Sequence, residues 1–301
     1  MTYNPLYKSA AAEQAIMTLY DEALSHWPVP YHTRLIPTRH GDTFVIACGD
    51  EGAPPLVLLH GAGTNSAIWI GDVAQYSQRY RVYAVDLLGE AGKSAPNRPP
   101  WETPTYAEWL ADVLDALAVE QATLVGISQG GWTALKFGVA QPERVTSLAL
   151  LCPGGVTADR MSFLLRAVVY SLLGRWGVRR MIRLLYAQQP IPAGVEEVFT
   201  AVMKGFNARL GVLPLFTDAE LARLRMPVLL LGGDQDALRD MAAIAARLHR
   251  HLPRLTVSII PGAGHALVDT VDRVMGFLSE IELPGRFLES RHSRPPSRKL
   301  F

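Results

Sequence analysis

No excess of charge marks this 301-residue chain: 29 Lys and Arg stand against 28 Asp and Glu, a net charge of +1. Nucleic acid, held chiefly by clustered cations on phosphate, is therefore not an expected partner. Cysteine is scarce as well. Cys48 and Cys152, the only two, fall on expected strand ends without Cys-x-x-Cys spacing, which points to reduced, packed thiols in a cytosol. No His/Cys/Asp cluster has the spacing of metal ligands, so no metal is expected. No stretch reaches the ~18 uninterrupted apolar residues of a membrane span. Met1-Thr2-Tyr3-Asn4-Pro5 lacks the charged and apolar regions of a secretory signal, so a cytoplasmic location is expected. Apolar residues are plentiful: 49% of the chain is hydrophobic and 19% charged, ample for one large domain with an inserted subdomain.

The most informative run is Leu124-Val125-Gly126-Ile127-Ser128-Gln129-Gly130-Gly131. A β-rich apolar stretch (Ala122 to Ile127) enters Gly-x-Ser-x-Gly, and a helix-forming stretch (Trp132 to Val139) follows at once. Strand, sharp turn and helix in this order put Ser128 at the apex, its hydroxyl clear of the strand end. Glycine at 126 and 130 removes the side chains that such a turn would crush. Gly-x-Ser-x-Gly alone is weak; in strand–turn–helix context it marks a nucleophile rather than a mere helix N-cap.

Three further segments make a site of that serine. Leu56 to Leu59 is an apolar strand ending in His60-Gly61-Ala62-Gly63, where small residues let backbone amides approach a ligand. The amides of Ala62 and Gln129 are the candidates for an oxyanion hole, while His60, at a strand end before the glycines, is expected to brace the loop. Pro227 to Gly233 reads as a buried parallel strand with Asp234 and Asp236 just past its C-terminal end, the rim on which open α/β sheets hold ligands. Leu255 to Ile260 and Pro261-Gly262-Ala263-Gly264-His265 form another strand and Gly-rich loop presenting a histidine. The order Ser128, Asp236, His265 is nucleophile, acid, base.

With these motifs the chain resembles an α/β-hydrolase across roughly residues 34–281, and more narrowly a bacterial carboxylesterase group that includes naproxen-cleaving enzymes. The narrower likeness rests on Trp27-Pro28-Val29-Pro30-Tyr31 with Ile36-Pro37-Thr38-Arg39, on Ala53 to Ala62, and on Tyr83-Ala84-Val85-Asp86. After that last strand Asp86-Leu87-Leu88-Gly89-Glu90-Ala91-Gly92-Lys93-Ser94 is one residue longer than the superfamily's usual Asp-x-x-Gly-x-Gly-x-Ser. The resemblance implies ester hydrolysis with Ser128 as nucleophile, Asp236 as acid and His265 as base. Its Gly-x-x-acid spacing from Gly233 selects Asp236, and a slip in loop register would select Asp234.

Along the chain, residues 1–32 are expected to be an N-terminal extension whose helix (Ala11 to Ser25) packs outside the core. Residues 33–156 and 217–281 read as an α/β-hydrolase core: a mostly parallel sheet with helices on both faces. Strands are expected near 33–37, 43–48, 56–60, 81–86 and 145–151, and helices over about 66–79, 217–224, 239–251 and 266–281. Thr105-Tyr106-Ala107-Glu108 suggests a capping box opening the helix through Leu117. Residues 157–216 break the alternation as a helical insert between nucleophile and acid, placed to roof the pocket. Phe163, Leu164, Val168, Tyr170, Leu184, Leu185, Phe199 and Met203 are its candidate lining, with Phe163, Leu164, Leu184 and Phe199 foremost. Arg175, Arg179, Arg180 and Arg183 are either a solvated face or a basic face touching lipid. Residues 282–301 are basic and expected to be disordered.

No cofactor is expected. Gly89 to Ser94 ends like a phosphate-binding loop, but Leu87 stands where that motif needs glycine, and Gly61 to Ser66 lacks the third glycine of a dinucleotide fingerprint. The partner expected is a small-molecule carboxylic ester, apolar and of small or medium size. Lactone, C–C bond and perhydrolytic chemistry share the same three residues. A ligand-binding or signalling protein on the same scaffold has no need of all three. The oligomeric state is not legible.

Overall fold

In the computed structural model, which describes residues 4–209 and 211–282, eight strands form one sheet. They are β1 (Tyr31–Ile36), β2 (Thr43–Cys48), β3 (Pro55–Leu59), β4 (Arg81–Val85), β5 (Ala122–Ile127), β6 (Val145–Leu151), β7 (Val228–Gly233) and β8 (Leu255–Ile260). The spatial order is β1-β2-β4-β3-β5-β6-β7-β8. β2 pairs antiparallel with β1 and β4, and all other pairs are parallel. β5, which leads to Ser128, lies between β3 and β6 in the interior of the sheet. Its near-continuous apolar sequence suits that place, since a parallel strand is covered on both faces.

Alternate residues of each strand feed two cores. Val57 and Leu59 join a cluster with Trp109 and Leu110 of α3 (Thr105–Ala116), Phe137 of α4 (Gln129–Ala140) and Ile244 and Leu248 of α9 (Met241–His251). Leu56 and Leu58 join Tyr20 and Leu24 of α1 (Ala10–Ser25), Val73 and Tyr76 of α2 (Val73–Tyr76), and Val274 and Phe277 of α10 (Val271–Glu282). The remaining helices are α5 (Met161–Ser171), α6 (Gly174–Tyr186) and α7 (Val195–Gly205), between β6 and β7, and α8 (Asp218–Leu221).

Several local expectations need correction. In place of a helix over 66–79 there is a 3₁₀ turn, Ser66–Trp69, and then the single turn of α2. Asn65 caps the first by accepting from the Ala67 amide at 3.1 Å, and Gly71 separates the two. No capping box forms at Thr105, because Pro104 occupies the N-cap and Glu108 turns to His40 at 3.1 Å. A capping box does form at Thr217 and Glu220 ahead of α8. The last helix starts at Val271 rather than 266, since Asp269 sits at φ 55°, outside the helical region. The basic segment expected to be disordered lies, from residue 283 on, outside the described residues.

The N-terminal segment does more than cover the core. Lys8 N donates to Gly205 O at 2.8 Å and Asn207 N to Leu6 O at 2.7 Å, so residues 6–8 grip the end of α7. Tyr20 of α1 donates its hydroxyl to Asp86 Oδ1 at 2.9 Å, deep beside β4. The helical insert is thereby tied to the sheet through α1.

Candidate active site

Ser128 stands between β5 and α4 with φ 55° and ψ −107°, a backbone conformation that costs a non-glycine residue of order 1–3 kcal/mol and persists only where its surroundings impose it. The two flanking glycines are obligatory. A Cβ on Gly126 would lie 2.5 Å from Gly130 O, and one on Gly130 would lie 2.1 Å from Leu59 O. The turn therefore presses against the end of β3 and lifts the serine side chain off the sheet.

Three loops at the same sheet edge meet at that side chain. His265 Nε2 lies 3.1 Å from Ser128 Oγ, and His265 Nδ1 lies 2.8 Å from Asp236 Oδ2. A carboxylate only accepts, so Nδ1 carries the proton and Nε2 is left to accept from the serine hydroxyl. The other oxygen of Asp236 accepts from the amides of Leu238 at 2.8 Å and Arg239 at 2.9 Å. Burial pushes the Asp236 carboxyl up, but His265 and these two amides outweigh it and hold the group below the usual carboxylate range. Asp234, two residues earlier, is exposed and accepts instead from Gly262 N at 2.7 Å, bracing the histidine loop.

The glycine loop after β3 closes the site from the other side. A Cβ on Gly61 would lie 3.6 Å from the Ser128 Cβ. The amides of Ala62 and Gln129 bond to no protein acceptor among the described residues. His60 is fully buried beneath this loop, and burial pushes its pKa down, so it stays neutral. Its Nδ1 donates to Gly61 O at 2.9 Å and its Nε2 accepts from Leu87 N at 2.9 Å.

The chain matches the model of the alpha/beta hydrolase family over residues 56–275. It belongs to that family. The carboxylesterase nap of Bacillus subtilis, itself uncharacterized, is 36% identical over 256 residues, spanning 82% of this chain and 85% of its own. The carboxylesterase YbfK of the same organism is 33% identical over 260 residues, 82% of this chain and 86% of its own. The crystal structure of naproxen esterase from Bacillus subtilis superposes with a TM-score of 0.81 at 34% identity, over 90% of this chain and 99% of that one.

Two charged residues of this hydrolase enter the site without any signal read from its sequence. Arg239 is buried, and its Nη1 donates to Ser128 Oγ at 3.1 Å and, very closely, to Cys152 O. Its Nε donates to Asp159 Oδ1 at 3.1 Å, which balances the charge. An arginine three residues past Asp236 looks like the start of the next helix. That helix begins two residues later at Met241, with Asp240 as its cap, and leaves Arg239 in the loop. Glu90 comes from the longer loop after β4. It accepts from Gly63 N at 2.7 Å and from the Gln129 side chain at 2.9 Å, tying the glycine loop to the serine turn. Burial pushes its carboxyl above the usual range, against the pull of those donors and of Arg98 and Arg209.

Folding also brings the Cys152 thiol, Asp236 and His265 within 4.8 Å of one another, a grouping of ligand atoms that linear spacing could not show. Burial, with Asp236 next, pushes the thiol pKa far up, so the neutral form is favoured rather than the thiolate a metal takes. His265 and Asp236 spend their facing atoms on each other.

The helical insert touches all three loops. Arg160 N donates to Leu238 O at 2.8 Å, Ala266 N to Leu185 O at 2.9 Å, and a Cβ on Gly63 would lie 3.6 Å from Val202 Cγ1. Of the expected lining, Phe163, Leu164, Tyr170, Leu184, Leu185, Phe199 and Met203 are half-buried within it, whereas Val168 turns outward and is exposed.

Proposed function

We propose that this hydrolase cleaves small or medium apolar carboxylic esters through an acyl-enzyme on Ser128. His265 takes the hydroxyl proton as Ser128 Oγ attacks the ester carbonyl. The carbonyl oxygen becomes an anion and is met by the amides of Ala62 and Gln129, each such donor being worth about 2.7–4 kcal/mol in the transition state. The tetrahedral intermediate collapses, the C–O bond to the alcohol breaks, and His265 returns the proton to the leaving oxygen. Water, activated by the same imidazole, then attacks the acyl-enzyme and releases the acid. Asp236 holds the tautomer throughout and stabilises the imidazolium. Arg239 donates to Oγ and helps fix it in the attack position.

The observation that carries this reading is the continuous hydrogen-bonded line from Ser128 through His265 to Asp236, at 3.1 and 2.8 Å, with the serine on a strained strand–helix turn. Residues 157–216 act as a cap that excludes water and selects the acyl or alcohol chain, with Phe163, Leu164, Leu184 and Phe199 as its pocket face. Residues 33–156 and 217–281 supply the chemistry, without cofactor or metal. Two buried free thiols favour a cytoplasmic setting.

The test is a panel of p-nitrophenyl esters of graded acyl length beside a panel of lactones. Turnover of the esters with an optimum at short or medium chains is expected. Turnover of lactones with none of esters would overturn the proposal.

A further inference from the structure

Helix α5 turns its apolar face the wrong way for a core helix. Met161, Leu165, Val168 and Leu172 recur at the spacing of one helical face, yet they are 66%, 64%, 62% and 79% exposed. No residue of α5 is buried, and the strip continues to Trp176 at the start of α6. A helix normally buries such a stripe against its own protein, and a contiguous apolar strip left in water marks a binding surface.

The charge carried by the strip's own helices, α5 and α6, has one sign. From Arg160 to Val195 the sequence holds six arginines and no Asp or Glu. Arg160 pairs with Asp240, and Arg175 and Arg179 share Glu196. Arg166 and Arg180 are exposed and have no carboxylate partner among the described residues, while Arg183 donates to Ala187 O and Gln189 O at the far end of α6. Arg180 lies over the Trp176 ring at 5.0 Å, so cation and aromatic occupy one edge of the strip.

These signs choose between occupants. A second copy of the chain would set the same arginines against one another. The chain's own end, Gly285 to Phe301, carries five Lys or Arg against one Glu and would be repelled as well. We propose that α5 and the first turn of α6 dock on an anionic lipid surface. The apolar strip enters the acyl boundary, Trp176 sits at the headgroup level, and the arginines meet lipid phosphates. Because Arg160, at the head of α5, bonds both Leu238 O and Asp236 O at the acid loop, docking holds the catalytic edge near esters dissolved in that surface.

The experiment is flotation of the full-length protein with vesicles of phosphatidylcholine alone or mixed with phosphatidylglycerol. Binding to the mixed vesicles and release by high salt are expected. Arg166→Gln should weaken binding about fivefold, the share of one interfacial cation. Leu165→Glu and Leu172→Glu should each abolish it while leaving hydrolysis of a soluble short-chain ester unchanged, which also certifies the fold. Failure to float with either vesicle would overturn the proposal. So would flotation that survives Leu165→Glu, which assigns binding to the basic end, or binding that ignores salt and lipid charge. A dimer split by Leu165→Glu, without vesicle binding, would make the strip a self-interface instead.

Discussion

Among the described residues Ser128 Oγ has two hydrogen-bond partners, His265 Nε2 and Arg239 Nη1, each at 3.1 Å. Both should be visible in kinetics. Asp236→Asn leaves a group that can present N–H to the imidazole and so favours the wrong tautomer, and a fall in kcat of roughly 10⁴-fold is expected. Asp234→Asn removes only a loop brace and should stay within a few-fold of the parent; the reverse ranking in steady-state assays would assign the acid role to Asp234. Arg239→Met deletes a charged donor to Ser128 Oγ, worth about 1.5–3 kcal/mol or roughly 10–160-fold. The loss is expected in kcat with KM nearly unchanged, and Arg239→Lys should restore part of it. A variant that alters KM alone would make Arg239 a substrate contact. The motifs around 128, 236 and 265 were legible in the sequence because each couples a strand end to a glycine turn. Arg239 and Glu90 were not, because their role depends on where two loops pass each other in space.

At the scale of elements, alternation of apolar strands and helices was enough to reach the sheet, and Ser128, Asp236 and His265 each follow the end of an apolar strand. Misreadings cluster at helix starts. Thr105 and Glu108 have the right spacing for a capping box, but Pro104 and His40 claim those positions. The stretch at 66–79 has helical composition yet breaks at Gly71. Its second piece, α2, has Asp72 at its N-cap with no side-chain hydrogen bond, and burial, aided by Asp269, pushes that carboxyl up to about 6. The folded chain therefore holds a proton there that the unfolded chain, with a pKa near 3.9, has lost. The contribution of this one group to stability should therefore fall as pH rises from about 4 to 6 and then level off, so the difference in stability between Asp72→Asn and the parent should grow over that range. Asp72→Asn should raise Tm over the parent at pH 7 and by less at pH 4 in thermal melts; a difference that does not change with pH would mean that the carboxyl is already solvated in the fold.

The whole molecule joins the sheet edge that carries Ser128, Asp236 and His265 to a helical insert that touches the three loops around them, with the N-terminal helix packed against the insert. The insert's position could be read from the broken β/α alternation. Its grip on the site through Leu185, Val202 and Arg160 could not, since these contacts join residues far apart in sequence and depend on where the insert's helices come to lie over the loops. Replacing Phe163, Leu164, Leu184 and Phe199 singly with Ala should shift acyl-chain preference in kcat/KM by about 1–3 kcal/mol, roughly 10–200-fold, with the reaction type unchanged. A flat profile in all four would move substrate contacts to the core loops. The central claim is a covalent acyl-enzyme on Ser128. Its most direct test is intact-mass and peptide mapping after treatment with an organophosphonate ester probe, run beside Ser128→Ala. One adduct per chain, on Ser128, formed in step with loss of ester hydrolysis and absent from the variant, is the result predicted. An adduct on another residue, or ester turnover that persists in Ser128→Ala, would contradict the account.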